Sequence, residues 1–205
     1  MNISIFSHCA IDSISLEGST YEQIGGAACY CAMMARQFKF DVDLHTKFGA
    51  DFPTQYFSDN KINYDNSLSQ KPTTRFEIDI SGIDRTLKLK HECEPIEISS
   101  FDSDGTIVSP IYHEISDDNY EKIKSNSNFL LVDPQGFLRT NSGNIISLQK
   151  RDLNLSNVSA IKVNTEEIAC LVDKTGDDGM IALQKKGVEN VILTNKINVS
   201  LLVKD

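Results

Sequence analysis

The chain has the length and composition of a folded globular protein, and its charge argues against two kinds of partner. Its 205 residues are 40% hydrophobic and 24% charged, which is ordinary for a soluble domain with a substantial core. No apolar run approaches the roughly 18–20 residues needed to cross a bilayer. The net charge of −9 repels phosphate backbones. We therefore expect no nucleic-acid partner and no membrane partner.

The N-terminus and the cysteines predict a cytoplasmic protein with reduced thiols. The opening residues, "MNISIFSHCAID", lack the basic leader and the long apolar segment of a signal peptide. The five cysteines include no Cys-x-x-Cys pair, whereas zinc sites usually take ligands about two to four residues apart. This spacing argues against a metal–thiolate site.

In chain order, strand-like and helix-like segments alternate. The first half begins with a strand at residues 3–6 and a helix at 26–38 that opens on Gly25 and Gly26. A strand within residues 41–49 and a short helix at 51–60 follow. Residues 73–80 and 85–90 then alternate in polarity and are joined by "SGID", which predicts a β-hairpin.

The second half continues the alternation with longer apolar strands. Ser116 is the predicted N-cap of a helix at residues 116–126. Two more helices are predicted at 165–172 and 178–187. The remaining predicted strands are 105–110, 128–134, 160–164, 190–195 and 199–203.

This order predicts an α/β fold with three layers, a mostly parallel sheet and a small β-hairpin. Nearly continuous apolar strands are typical of parallel sheets buried on both faces. Repeated strand–helix units give right-handed crossovers that place helices on both sides of the sheet. Ligands of such sheets bind beyond the carboxyl ends of the strands, where we expect Asp133, Asn164 and Thr194.

Five segments, in order, resemble the ribokinase (PfkB) family of carbohydrate and nucleoside kinases. They are "SHCAIDSI", "GGAACYCAMMARQFKFDVDLHTKFGADF", "KPTTRFEIDISGIDRTLKLK", "DPQGFLR" and "IKVNTEEIACL". The resemblance spans nearly the whole chain, so residues 1–205 are expected to form one ribokinase-like domain. It implies β lid segments around residues 18–24 and 72–91, and a homodimer formed through that lid.

The resemblance also implies an activity and a set of site residues. The activity is transfer of the ATP γ-phosphate, with Mg²⁺, to a hydroxyl of a sugar, polyol or nucleoside. Asp12 and the backbone at Gly25 and Gly26 would bind the substrate, with Tyr30 at a place where the family commonly has Asn. From the lid, Thr74 and Phe76 would contact the substrate. On the donor side, Asn164 and Thr194 would contact the nucleotide and Glu167 would order Mg²⁺.

Each of these assignments has a structural alternative. Gly25 and Gly26 can equally be a tight strand-to-helix turn, and Asp12 a solvated loop acid. The hairpin can be a dimer edge or a plain meander. Asn164 with Glu167 three residues later is also the pattern of a helix capping box.

The sequence departs from the family in the part that carries the chemistry. No Gly-Ala-Gly-Asp-like run occurs, which in the family supplies the catalytic base and the anion hole, so no catalytic residue is assigned. The strand ending at Thr194 is not followed by the glycines expected near the nucleotide. We therefore expect a chain that lacks the family's last third and has negligible kinase activity alone. The alternatives are a non-catalytic sugar- or nucleotide-binding module and an oligomerisation module.

Overall fold

The computed structural model of the protein describes residues 1–65, 67–82, 84–98 and 100–204. Ile83, in the predicted hairpin connection, and Asp205, at the end of the predicted domain, lie outside the described residues. Within the described residues, the helices are α1 Ala27–Gln37, α2 Gln55–Asn60, α3 Asp117–Ser125, α4 Gln135–Leu138, α5 Thr165–Val172 and α6 Gly176–Lys185. None of them is long and apolar enough to cross a membrane.

A large, mostly parallel sheet forms the centre of the described structure. Its seven strands are β1 Asn2–Phe6, β4 Asp41–His45, β7 Gly105–Val108, β8 Leu130–Val132, β11 Val158–Asn164, β12 Val188–Thr194 and β13 Val199–Val203. They lie in the order β13-β12-β11-β8-β7-β1-β4, and every neighbouring pair is parallel except β12 with β13. The predicted α/β fold with a mostly parallel sheet is confirmed.

Apolar side chains of the sheet pack against helices on both faces. Along β1, Ile3 and Ile5 join one buried cluster with α1 and α2, whereas Phe6 joins another with α3, α5 and α6. Successive side chains of a strand point to opposite faces, so this division places the two clusters on opposite sides of β1. The layered arrangement follows from that alternation.

A second sheet is larger than the predicted hairpin. Within the described residues its six strands are β2 Ala10–Leu16, β3 Ser19–Gly25, β5 Thr74–Ser81, β6 Asp84–His91, β9 Arg139–Ser142 and β10 Ile145–Leu148. The order is β3-β2-β5-β6-β10-β9, so the hairpin β5–β6 is extended on both sides. The parallel pairing of β2 with β5 brings Ile14, Phe76 and Ile78 into a small apolar cluster with Ile111. That burial explains why a lone hairpin is not what forms.

Candidate functional site

A cleft of about 300 Å³ lies between the second sheet and the carboxyl ends of β7 and β8. Ser109 and Asp133 directly follow those two strands. The residues that line the cleft are Ala10, Asp12, Gly26, Ala27, Tyr30, Phe76, Ile78, Arg85, Leu87, Ser109, Ile111, Asp133, Gln135 and Arg139. Five of the residues predicted from sequence are therefore brought together, namely Asp12, Gly26, Tyr30, Phe76 and Asp133.

A larger cavity, of about 550 Å³, lies elsewhere, beside the edge strand β4 and residues 96–98. Among the described residues that line it, none belongs to the predicted site. Its walls include Asp43, Asp65 and Glu97. We therefore take the smaller cleft, which unites the predicted residues at the strand ends, as the candidate active site.

The two glycines before α1 each allow a different close approach. A Cβ on Gly25 would lie 2.2 Å from Asp12 Oδ2, so Gly25 leaves room for that carboxylate. Gly26 is the N-cap of α1 with φ of 87°, and a Cβ there would lie 2.4 Å from the His8 carbonyl oxygen. Gly26 lines the cleft, whereas Gly25 lies behind Asp12. Gly25 thus makes room for the Asp12 side chain, and Gly26 for the main chain of residues 8–10.

Asp12 presents an uncommitted carboxylate to the cleft. The residue lies within β2 and not in the predicted loop. Partial burial raises the pKa of its carboxyl, and the positive charges of Arg85 and Arg139 counteract that shift. Its carboxylate makes no hydrogen bond within the part of the chain that the structure describes. Such a group is suited to accept hydrogen bonds from the hydroxyls of a ligand.

Two arginines in the cleft were not predicted from sequence. Arg139 Nη1 donates to the Ile111 carbonyl oxygen at 2.7 Å, and its guanidinium lies 5.3 Å from the centre of the Phe76 ring. Burial lowers the pKa of Arg139. Arg85 is exposed on β6 and lines the same cleft. The sequence signal was only their place in "SGIDR" and "DPQGFLR", two segments far apart along the chain.

A buried glutamate shapes one wall of the cleft. Glu114 Oε1 accepts the main-chain N–H groups of His8 at 2.9 Å and Ile111 at 2.7 Å, and Oε2 accepts that of Tyr112 at 2.7 Å. A carboxylate that accepts three N–H groups in a buried setting is a strong local constraint. It holds the β1–β2 connection against the segment after β7.

Thr74 supports the same connection and does not line the cleft. His8 is buried, and its ring nitrogens lie 3.0 Å from Thr74 Oγ1 and 2.8 Å from the Glu94 carbonyl oxygen. Thr74 Oγ1 also accepts the N–H of Cys93 at 3.1 Å. Burial lowers the pKa of His8, which keeps the ring neutral. The predicted substrate contact of Thr74 therefore has no counterpart in the cleft lining.

The predicted magnesium pair forms the capping box that was its structural alternative. Asn164 Oδ1 accepts the N–H groups of Glu166 and Glu167 at 2.8 Å each, and Glu167 Oε2 accepts that of Asn164 at 2.8 Å. Glu167 Oε1 is buried and has no hydrogen-bond partner among the described residues. Burial raises the pKa of Glu167, Asp133 adds to that shift and Lys162 opposes it.

Lys162 connects this helix start to the cleft. Its Nζ lies 3.1 Å from Asp133 Oδ2 and 4.0 Å from Glu167 Oε2. Within the described residues, no group of three His, Cys, Asp or Glu side chains is arranged to hold a metal ion. The orphaned Glu167 Oε1 fits Mg²⁺ only through the ion's water shell, which is how Mg²⁺ is commonly held. ATP or Mg²⁺ would meet Lys162, Asp133 and Glu167 on this side of the cleft.

The last two predicted site residues, Tyr30 and Thr194, differ in whether they line the cleft. Tyr30 donates its hydroxyl to the Ile24 carbonyl oxygen at 2.9 Å while lining the cleft. Thr194 donates to the Val163 carbonyl oxygen at 3.3 Å, and it is not among the residues that line the cleft. Asn164 and Thr194 are neighbours in the β11–β12 register, at the carboxyl ends of both strands.

Comparison with known proteins gives a clear result only for the three-dimensional structure. No family model matches the sequence, and no curated protein matches it. A matching solved structure is a pyrophosphate-dependent kinase of the ribokinase family, complexed with a pyrophosphate analogue and myo-inositol. Its TM-score is 0.83 and its identity 18%, over 99% of this chain and 76% of that one.

Two further solved structures extend the range of ligands. A nucleoside kinase of Burkholderia thailandensis in complex with inosine has a TM-score of 0.72 at 14% identity, over 100% of this chain and 74% of that one. A ribokinase of Arabidopsis thaliana complexed with ribose and ATP has a TM-score of 0.65 at 13% identity, over 98% of this chain and 74% of that one. The resemblance predicted from sequence is thus confirmed in three dimensions, and the chain has the fold of the ribokinase-family kinases.

Proposed function

We propose that the protein is a kinase of the ribokinase type, which transfers a phosphoryl group to a hydroxyl of a sugar, polyol or nucleoside. The observation that carries this proposal is the cleft, in which the uncommitted Asp12 carboxylate faces the ends of β7 and β8. A carboxylate is a good acceptor for two neighbouring hydroxyls. Phe76, Ile78 and Leu87 of the second sheet supply an apolar wall that would exclude water, the competing phosphoryl acceptor.

The donor is proposed to be ATP with Mg²⁺, placed beyond Asp133, Lys162 and the start of α5. Lys162 is the cation on this side, but Asp133 balances its charge at 3.1 Å and the first turn of α5 carries Glu166 and Glu167, so Mg²⁺ would be needed to neutralise the phosphate groups. Pyrophosphate is the second candidate donor, because a matching solved structure is a pyrophosphate-dependent kinase. Phosphoryl transfer depends mainly on positioning and charge neutralisation, so either donor suits the same charges.

A non-catalytic binding module is the alternative function. It is favoured by the absence, within the 205 residues, of a Gly-Ala-Gly-Asp-like run that would supply a base and an anion hole. A module that serves only oligomerisation is the third possibility. Binding and turnover distinguish the three.

The test is calorimetric titration of the purified chain with ribose, myo-inositol and inosine, followed by assays of phosphoryl transfer from Mg-ATP and from pyrophosphate. We expect binding of at least one of the three, weakened about 10- to 100-fold by Asp12→Asn. The matched control is Asp79→Asn, because Asp79 lies in the same sheet but pairs with Lys88 outside the cleft. Turnover by this chain would support the kinase directly and would refute the expectation of negligible activity, whereas binding without turnover is expected both of a kinase chain that lacks its base and of the non-catalytic module. Absence of binding by all three compounds would overturn the proposal and favour a module that serves only oligomerisation.

A further inference from the structure

Arg139 is a half-buried cation at the cleft whose hydrogen-bonding capacity is mostly unused. A guanidinium has five N–H donors. Within the described residues Arg139 makes one side-chain hydrogen bond, to the Ile111 carbonyl oxygen at 2.7 Å, and no ion pair. Its other contact is the face of the Phe76 ring. A half-buried charge without an ion-pair partner is partly desolvated, so an anion from outside the chain is a natural complement.

Arg151 shows what the same arrangement looks like when it serves structure alone. Its Nη1 donates to the Phe137 carbonyl oxygen at 3.0 Å, and its guanidinium lies 5.7 Å from the centre of the Phe137 ring. Unlike Arg139, Arg151 also forms an ion pair, with Asp117. Each arginine therefore contacts a carbonyl oxygen and an aromatic ring, but only Arg151 also has a carboxylate partner.

The carboxylates around Arg139 are committed elsewhere or held apart from it. Glu114 accepts three main-chain N–H groups. Asp133 is paired with Lys162 at 3.1 Å. Asp12 influences Arg139 electrostatically but forms no ion pair with it within the described residues. Of the residues that line the cleft, Asp133 is paired with Lys162, which leaves two guanidinium groups and the free carboxylate of Asp12. Glu114, which is buried and not among the lining residues, adds a second negative charge, but its oxygens are occupied by main-chain N–H groups.

We propose that the hydroxyl-bearing substrate also carries an oxyanion, a phosphate or a carboxylate, and that Arg139 and Arg85 bind it beside Asp12. The inference rests on the proposed function and narrows its substrate class from neutral sugars to anionic ones. Arg139 supplies the half-buried, stacked contact, and Arg85 supplies a second positive charge from the exposed strand β6. Asp12 remains free to accept hydrogen bonds from the hydroxyls. The anionic end of the substrate would therefore bind at the arginines and the hydroxyl end at Asp12.

Titrations with ribose, ribose 5-phosphate, orthophosphate and pyrophosphate test the inference. We expect ribose 5-phosphate to bind about 10- to 100-fold more tightly than ribose, because hydrogen bonds to charged groups are the strong ones. It should also bind more tightly than orthophosphate, since its hydroxyls add the Asp12 contact. The advantage should shrink as salt is raised, since one partner, Arg85, is exposed.

Matched arginine variants locate the anion. Arg139→Gln should remove most of the advantage of ribose 5-phosphate over ribose, whereas Arg151→Gln, a change outside the cleft, should leave that advantage unchanged. Melting temperatures verify folding, and if Arg139→Gln does not fold, Arg85→Gln carries the test because its side chain is exposed.

Other outcomes separate failure of this inference from failure of the proposed function. Equal affinity for ribose and ribose 5-phosphate would overturn the anionic substrate and leave the proposed function standing. Pyrophosphate binding that depends on Arg139, without any preference for ribose 5-phosphate, would also overturn it and would assign the arginine to the phosphoryl donor. Absence of binding by every sugar would instead count against the proposed function.

Discussion

Replacement of each glycine before α1 by alanine should separate a binding defect from a folding defect. At Gly25 the new methyl group meets the Asp12 carboxylate, the far end of a side chain that can rotate away. At Gly26 it meets main-chain atoms, His8 O at 2.4 Å and Ala10 N at 2.9 Å, which cannot move without shifting β2. Two adjacent and identical substitutions should therefore have different consequences.

The magnitudes follow from those contacts. Gly26 has φ of 87° and ψ of 144°, a region open essentially only to glycine. Backbone strain there costs about 1–3 kcal/mol, and the steric overlap adds a similar amount. For a protein of this size the loss corresponds to a fall in melting temperature of about 5–20 °C. Gly25→Ala should cost less than about 1 kcal/mol, but it must displace Asp12 by about 1 Å, enough to weaken ligand binding about 10- to 100-fold.

Thermal unfolding and calorimetric titration, made on both variants, provide the measurement. Gly26→Ala should melt well below the unmodified protein, whereas Gly25→Ala should melt close to it and bind the best ligand of the sugar panel poorly. An equal fall in melting temperature for the two variants would refute the distinction between side-chain and main-chain contacts. Unchanged binding by Gly25→Ala would show that Asp12 does not need its present position.

Three further predictions concern α5 and the second sheet. Asn164→Ala removes the acceptor for two N–H groups and should lower stability by about 1 kcal/mol, measured as a fall of about 2–4 °C in melting temperature. The raised pKa of Glu167 means that its contribution is fully present below its ordinary value of 4.5 and is lost as the pH rises through the raised value. Glu167→Gln cannot titrate at this position. The melting temperature of the variant minus that of the unmodified protein should therefore rise between about pH 4 and pH 7, and a constant difference would contradict this. We also expect a homodimer through the second sheet in sedimentation velocity, converted to monomer by Tyr21→Glu on β3, where Tyr21 is 47% exposed; a monomeric unmodified protein would refute it.

The large sheet could be predicted from the sequence because its strands carry a local signal. Runs such as "NFLLVDP" and "AIKVN" are rich in apolar residues, and the structure has β8 and β11 there. The start of α3 was equally visible, because Ser116 accepts the N–H of Asn119 as an N-cap should, whereas the short α4 was not predicted and α6 begins at Gly176, two residues before the predicted start. The capping box of Asn164 and Glu167 was readable for the same reason.

Less of the candidate site could be predicted, because its parts are joined only by the fold. The second sheet depends on parallel pairing of β2 with β5, and residues 10–16 show no strand pattern strong enough to reveal it. Arg85 and Arg139 lie in separate segments, and nothing local indicates that they share a cleft. Nothing local in the sequence distinguishes Glu114, which is 1% exposed and accepts three main-chain N–H groups.

The composition of the second sheet has a consequence for engineering and for folding. Its strands come from residues 10–25, 74–91 and 139–148, with stretches of the large sheet between them. No single excision or graft can therefore exchange the second sheet between proteins of this fold, since three separated stretches would have to be transferred together. The three hairpins β2–β3, β5–β6 and β9–β10 are local in sequence, whereas the β2–β5 and β6–β10 pairings that join them are long-range, so we expect the hairpins to join late in folding.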